Sequence, residues 1–143
     1  MPFMGRRQSR QAMRTRVIVV DDHRPMLEYA ALMLEREFAV VALMCDVESL
    51  LDGWVEARPD VVVLDVALHR SSGFEAATRL RAAGCSAPVV FLSVHQEADF
   101  VRAAWEAGGL GYVAKRDISR ALVPAIRAAL RGRRYVSAAI AWP

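Results

Sequence analysis

Apolar runs of four to six residues alternate along this chain with longer segments in which apolar positions recur every three to four residues. Short unbroken runs read as strands and the 3.6-residue spacing as helices. The pattern predicts strands near 16–20, 39–44, 60–64, 88–92 and 110–114, and helices near 25–37, 47–57, 73–83, 97–108 and 118–131. The first, third and fourth strands are almost wholly Val, Ile, Leu and Phe, as suits strands covered on both faces. Helix punctuation agrees. Pro25 can open the first helix, where its missing N–H does no harm, and Asp46 can cap the second, with Glu48 and Ser49 in its first turn. Gly84 stops the third and Gly108-Gly109 the fourth. Pro124 falls inside the fifth pattern and is expected within its first two turns.

Five β–α units in succession predict a parallel sheet with helices on both faces, because the crossovers are right-handed. The expected architecture is a flavodoxin-like (βα)5 doubly wound α/β fold with strand order 2-1-3-4-5. In such sheets the functional crevice lies beyond the carboxyl ends of the strands. Four of the five runs end there in a reactive group: Val17-Ile18-Val19-Val20 leads into Asp21 and Asp22, Val61-Val62-Val63-Leu64 into Asp65, Val89-Val90-Phe91-Leu92 into Ser93, and Gly111-Tyr112-Val113-Ala114 into Lys115.

Composition narrows the setting. A chain of 143 residues with a 55% hydrophobic fraction has the size and apolar content of one domain. No apolar run approaches the ~20 residues of a membrane span, and residues 1–16 hold no apolar secretion signal. A cytoplasmic protein without membrane contact is therefore expected, with Cys45 and Cys85 as reduced, buried thiols. The net charge of +3 conceals an asymmetry. Arg6, Arg7, Arg10, Arg14 and Arg16 face no acid within the first sixteen residues, the body is acidic, and basic residues return after Lys115. We read residues 1–15 as a basic flexible arm, 16–132 as the domain, and 133–143 as an exit segment. The C-terminal bases read as a solvated helix face.

Of nineteen basic side chains eighteen are arginine, and Lys115 alone is lysine. A compact ammonium on a flexible stem suits one phosphate oxygen in a narrow cleft, where a guanidinium fork is broader. Carboxylates crowded together either take up a proton or share a cation. Mg²⁺ prefers oxygen ligands and commonly binds one or two carboxylates together with a phosphate. Asp21 and Asp22 with Asp65 fit such a site, and an Asp65 oxygen could attack phosphorus to give an acyl phosphate. Ser93 would donate its hydroxyl to a phosphoryl oxygen, and Lys115 would neutralise charge. Taken singly, each residue also has a plain structural role: a helix cap for the acid pair, a loop acid, a turn hydroxyl, a surface lysine.

The stretches Val20-Asp21-Asp22-His23, Asp60-Val-Val-Val-Leu-Asp65, Phe91-Leu-Ser-Val-His95 and Ala107-Gly-Gly-Leu-Gly-Tyr-Val-Ala-Lys115 resemble the receiver domain of bacterial two-component response regulators over about residues 16–137. The resemblance implies that Asp65 is the phosphoacceptor and that Asp21, Asp22, Asp65 and the Ala67 backbone carbonyl hold Mg²⁺. It implies that Ser93 and Lys115 contact the phosphoryl group, and that Ser93 and Tyr112 form the switch. It also implies a sensor histidine kinase as partner, and it leaves homodimerisation open. His23 and His95 match the subfamily with LuxR-type DNA-binding outputs and read as surface or packing residues, His95 near the site. Trp105 reads as partly core. The C-terminal stretch resembles the last helix and exit segment of receivers that precede such an output, so DNA contact is expected only through an output domain absent from this sequence.

One departure stands out. Where the family has proline four residues after the phosphoacceptor, this chain has His69, which frees a backbone N–H and is expected to make the loop more mobile. Alternatives are a single-domain relay and a phosphorylation-independent pseudo-receiver. An aspartyl-nucleophile phosphatase would want an acid at Ala67, and a flavodoxin-like cofactor binder a glycine- and hydroxyl-rich loop where this chain has Asp21 and Asp22.

Overall fold

The computed structural model describes residues 14–140 and 142. Six strands form one parallel sheet: β1 (Arg16–Val20), β2 (Ala39–Met44), β3 (Val61–Asp65), β6 (Val89–Ser93), β7 (Gly111–Ala114) and β8 (Tyr135–Val136), in the order β2-β1-β3-β6-β7-β8. The first five reproduce the expected 2-1-3-4-5 order. β8 is an addition: within the segment read as an exit, Tyr135 and Val136 pair in parallel with Gly111 and Tyr112. Two further strands, β4 (Ala67–Leu68) and β5 (Ser71–Ser72), make a small antiparallel hairpin.

Five helices cover the sheet: α1 (Arg24–Leu34), α2 (Val47–Ala57), α3 (Gly73–Ala82), α4 (Ala98–Glu106) and α5 (Ile118–Leu130). Because strand side chains alternate between faces, the apolar runs split into two layers. Val17, Val19, Val61, Val63, Val90, Leu92 and Val113 pack against Leu27, Ala30 and Leu34 of α1 and Leu122, Ala125 and Ile126 of α5. Ile18, Val20, Val62, Leu64, Phe91 and Tyr112 pack against α2, α3 and α4. Both faces of β3 and β6 are dry, which accounts for their unbroken aliphatic sequence.

The caps follow the sequence closely. Asp46 accepts the Ser49 N–H at 2.7 Å at the start of α2, and this bond holds its carboxyl below the ordinary range. Ser72 does the same for the Glu75 N–H on α3. Pro25 lies in the first turn of α1, and Pro124 is the seventh residue of α5. Arg58 ends α2 with φ of 48°. Of the arm read as residues 1–15, residues 1–13 lie outside the described residues; within it, Arg14 donates to the Glu35 carbonyl. Of the cysteines, Cys85 is buried as expected, but Cys45 is exposed, because β2 has ended at Met44 and the chain there turns over the sheet edge toward α2.

Candidate functional site

The strand ends deliver the reactive groups to one place. β1 stops at Val20 and presents Asp21, fully buried, and Asp22, exposed. β3 runs one residue further than the pattern suggested, so Asp65 is its last residue rather than the first of a loop. Ser93 likewise closes β6. Lys115 follows β7 and opens a 3-10 turn, Lys115–Asp117. Register does the rest: β3 and β6 bring Asp65 opposite Leu92, and β6 and β7 bring Ser93 opposite Ala114, the neighbour of Lys115.

The Lys115 ammonium lies 2.9 Å from Asp65 Oδ2 and 3.0 Å from Asp21 Oδ2. The first contact is a hydrogen bond; the second is too poorly angled to be one, so Asp21 Oδ2 is a buried oxygen without a hydrogen-bond partner. The other oxygens are held by backbone: Asp21 Oδ1 accepts the His23 N–H at 2.8 Å, and Asp65 Oδ1 the Ala67 N–H at 3.1 Å. The acid pair therefore does not cap α1, whose N-cap residue is His23 and makes no side-chain bond. Asp21, Asp22 and Asp65 each turn an oxygen into a region within 4.8 Å of one another. Hard oxygen donors around one orphaned buried carboxylate oxygen fit a divalent cation such as Mg²⁺.

These placements set the proton affinities. Burial pushes the Asp65 carboxyl up; the Lys115 hydrogen bond opposes it and the Asp21 charge reinforces it, leaving it at about 6. Burial works against the Lys115 ammonium, but the Asp65 hydrogen bond and the charges of Asp65 and Asp21 outweigh it and hold Lys115 above its ordinary value. The site is thus a strained acid pair stitched together by one cation.

The loop after Asp65 is a two-residue hairpin turn, with His69 and Arg70 between β4 and β5. Arg70 takes φ of 65°. Where the sequence suggested a freer loop, the chain forms backbone pairs of Ala67 with Ser72 and of Leu68 with Ser71. The hairpin returns at Gly73, whose N–H meets the Val66 carbonyl at 2.6 Å. A Cβ on Gly73 would stand 2.2 Å from the Asp65 carbonyl oxygen. Sequence reading gave Gly73 no role in the site; only the close return of the chain reveals it.

Ser93 is buried, and its oxygen accepts the His95 N–H at 2.9 Å; as a hydroxyl it also carries a proton to donate. Tyr112 is also fully buried, and its hydroxyl donates to the His95 carbonyl at 2.7 Å. Burial holds that phenol above its ordinary value, so it remains a donor. The His95 ring stacks on Phe100 at 4.1 Å, a packing role; His23 is exposed. Trp105 is half-buried against the α2–α3–α4 layer, as expected.

Comparison with known proteins now adds to the geometry. The profile of the response regulator receiver domain matches residues 17–127. Curated relatives include the transcriptional regulatory protein DegU of Brevibacillus brevis, 29% identical over 84% of this chain and 52% of its own. The positive transcription regulator BvgA of Bordetella pertussis is 30% identical over 86% of this chain and 59% of its own. The chain thus spans little more than half the length of these two relatives. Among solved structures, a LuxR-family two-component response regulator from Aurantimonas sp. SI85-9A1 superposes with a TM-score of 0.83 at 37% identity, covering 89% of this chain and 92% of that one. No helix among the described residues is long and apolar enough to cross a membrane. Sheet order, the acid cluster with its lysine, and these matches together place this chain in the family of two-component response regulator receiver domains.

Proposed function

We propose that this receiver takes a phosphoryl group on Asp65 from a phosphohistidine of a sensor kinase, in the cytoplasm and with Mg²⁺. The observation that carries the reading is the Lys115 ammonium shared between Asp65 and the orphaned oxygen of buried Asp21. Asp21, Asp22 and Asp65 would hold the ion, with the Ala67 carbonyl as a further ligand. Bound there, Mg²⁺ supplies charge neutralisation for the carboxylates and the incoming phosphoryl oxygens.

In the transfer, a carboxylate oxygen of Asp65 attacks phosphorus in line, a P–O bond forms, and the P–N bond to the donor imidazole breaks, its electron pair leaving with the ring. Lys115 exchanges the Asp65 carboxylate for a phosphoryl oxygen, and Ser93 donates its hydroxyl proton to another. Tyr112, tied to the loop that follows Ser93, registers any shift of that loop. This is self-directed chemistry in a signalling domain rather than turnover of an external substrate. The relatives named as transcription regulators support an output on DNA through a domain outside these 143 residues.

Intact mass after incubation with a small acyl phosphate and Mg²⁺ tests the reading. The wild type is expected to gain one phosphoryl group, and Asp65→Asn none. A folded wild type that stays unmodified would overturn it.

A further inference from the structure

Beyond the strand ends, residues 135–140, continued by Trp142, lie along the free side of β7 and fasten to it at points that bracket Lys115. The Tyr135 N–H donates to the Leu110 carbonyl, and the Ser137 N–H to the Tyr112 carbonyl at 3.0 Å. There the chain turns away, with the Ile140 N–H closing on the Ser137 carbonyl. The Ser137 side chain takes over the ladder: its oxygen accepts the Ala114 N–H at 2.9 Å. Past Lys115, the Ala139 N–H donates to Asp117 Oδ2 at 2.9 Å and fixes the 3-10 turn from its far end. Lys115 therefore sits between two residues held by this segment, Ala114 at its backbone N–H and Asp117 at its side-chain carboxylate.

The segment is docked with apolar and aromatic contacts as well. Ser137 is fully buried and Ile140 nearly so, the latter in the layer that contains Tyr112. Trp142 meets Trp105 of α4 edge-to-face at 6.3 Å, and Arg102 lies over its ring. Arg134, at the segment's start, covers Trp105.

We propose that residues 135–140, together with Trp142, are a positioning strap for Lys115, with Ser137 as its central positioning residue, and that strap docking and phosphoryl occupancy of the site stabilise one another. The inference rests on Asp65 as phosphoacceptor and names a control of that same site. An ammonium that must move from carboxylate to phosphoryl oxygen needs its backbone fixed, because misplacement of a charge-stabilising group erodes its effect. Coupling of two sites is reciprocal: whatever the strap contributes to holding the phosphoryl group, the phosphoryl group returns to the strap. The hydroxyl is the decisive atom, since a buried Ala114 N–H loses its acceptor when it is removed.

Two readouts on the full chain test this. The first is the initial rate of Asp65 adduct formation from a small acyl phosphate with Mg²⁺, in wild type, Ser137→Ala and Ser137→Thr. The alanine variant is expected to slow about tenfold and the threonine variant to recover most of the rate, within the roughly 5- to 150-fold span of ordinary coupling. The second is hydrogen exchange at the Ser137 and Ala139 amides of the wild type before and after adduct formation, where several-fold greater protection is expected with the adduct. Full-rate modification of a folded Ser137→Ala variant, or identical exchange in the two states, would sink the strap. If Ser137→Ala does not fold, the wild-type exchange comparison alone decides. A wild type that forms no adduct at all removes the phosphoacceptor reading and the strap with it, whereas an adduct without change in exchange removes the strap alone.

Discussion

At the scale of single residues, Asp65 sits in an unfavourable place for its charge. Its carboxyl is pushed up to about 6 from an ordinary value of 3.8, so the folded state binds this proton more tightly than the unfolded chain does. Stability conferred by the proton is therefore present at low pH and is lost as pH rises from about 4 through 6. For this group alone the loss is on the order of 3 kcal/mol in metal-free protein, from the size of one pKa unit. Urea unfolding at pH 4.5 and pH 7 is expected to show that decline, and Asp65→Asn to flatten it. Mg²⁺ should flatten it too, by giving the carboxylate a second cation. The gathering of Asp21, Asp22, Asp65, Ser93 and Lys115 at one edge of the sheet was legible from sequence because each ends or follows an apolar run, and a parallel sheet gathers strand ends on one side. The sharing of Lys115 between Asp21 and Asp65 was not, because it depends on side-chain reach across β1, β3 and β7. Neither was the exposure of Cys45, which follows from β2 ending at Met44 before the chain turns toward α2.

At the scale of elements, the β4–β5 hairpin couples Asp65 to α3 through one glycine. Gly73 opens α3 with no room for a side chain against the Asp65 carbonyl. Gly73→Ala is expected to cost about 3 kcal/mol, at the upper end for single substitutions because the obstacle is backbone and cannot yield. Chemical denaturation checks the cost, and slower adduct formation should accompany it. The long elements were readable because each presents an apolar period of either 2 or 3.6 over many residues. The short ones were not. Two-residue strands such as β5 and β8 have no period, and the serines of β5 look like loop residues until their partners are known. His69 suggested a freer loop from the loss of proline's fixed φ; the pairing of Ala67 with Ser72 and of Leu68 with Ser71 across that turn was not foreseen.

At the scale of the whole molecule, two apolar layers share one sheet. Leu50 of α2 is fully buried in one layer and Leu122 of α5 in the other. Because the same strands line both, damage to either layer should weaken the whole. Leu50→Ala and Leu122→Ala are each expected to lose about 3 kcal/mol and to lower Tm by roughly 10 °C in one shared transition. Two separated thermal steps in calorimetry would show the layers to be independent instead. The sheet's two margins also differ in kind. On one side β8, only two residues long, occupies the flank of β7, and the Ser137 hydroxyl closes the last open rung. On the other, β2 is six uncharged residues with an open flank and a half-exposed Leu43. Open flanks are where sheets recruit further strands. Two copies joined β2 to β2 across a twofold axis would use up both of these flanks, so assembly through β2 ends at a pair.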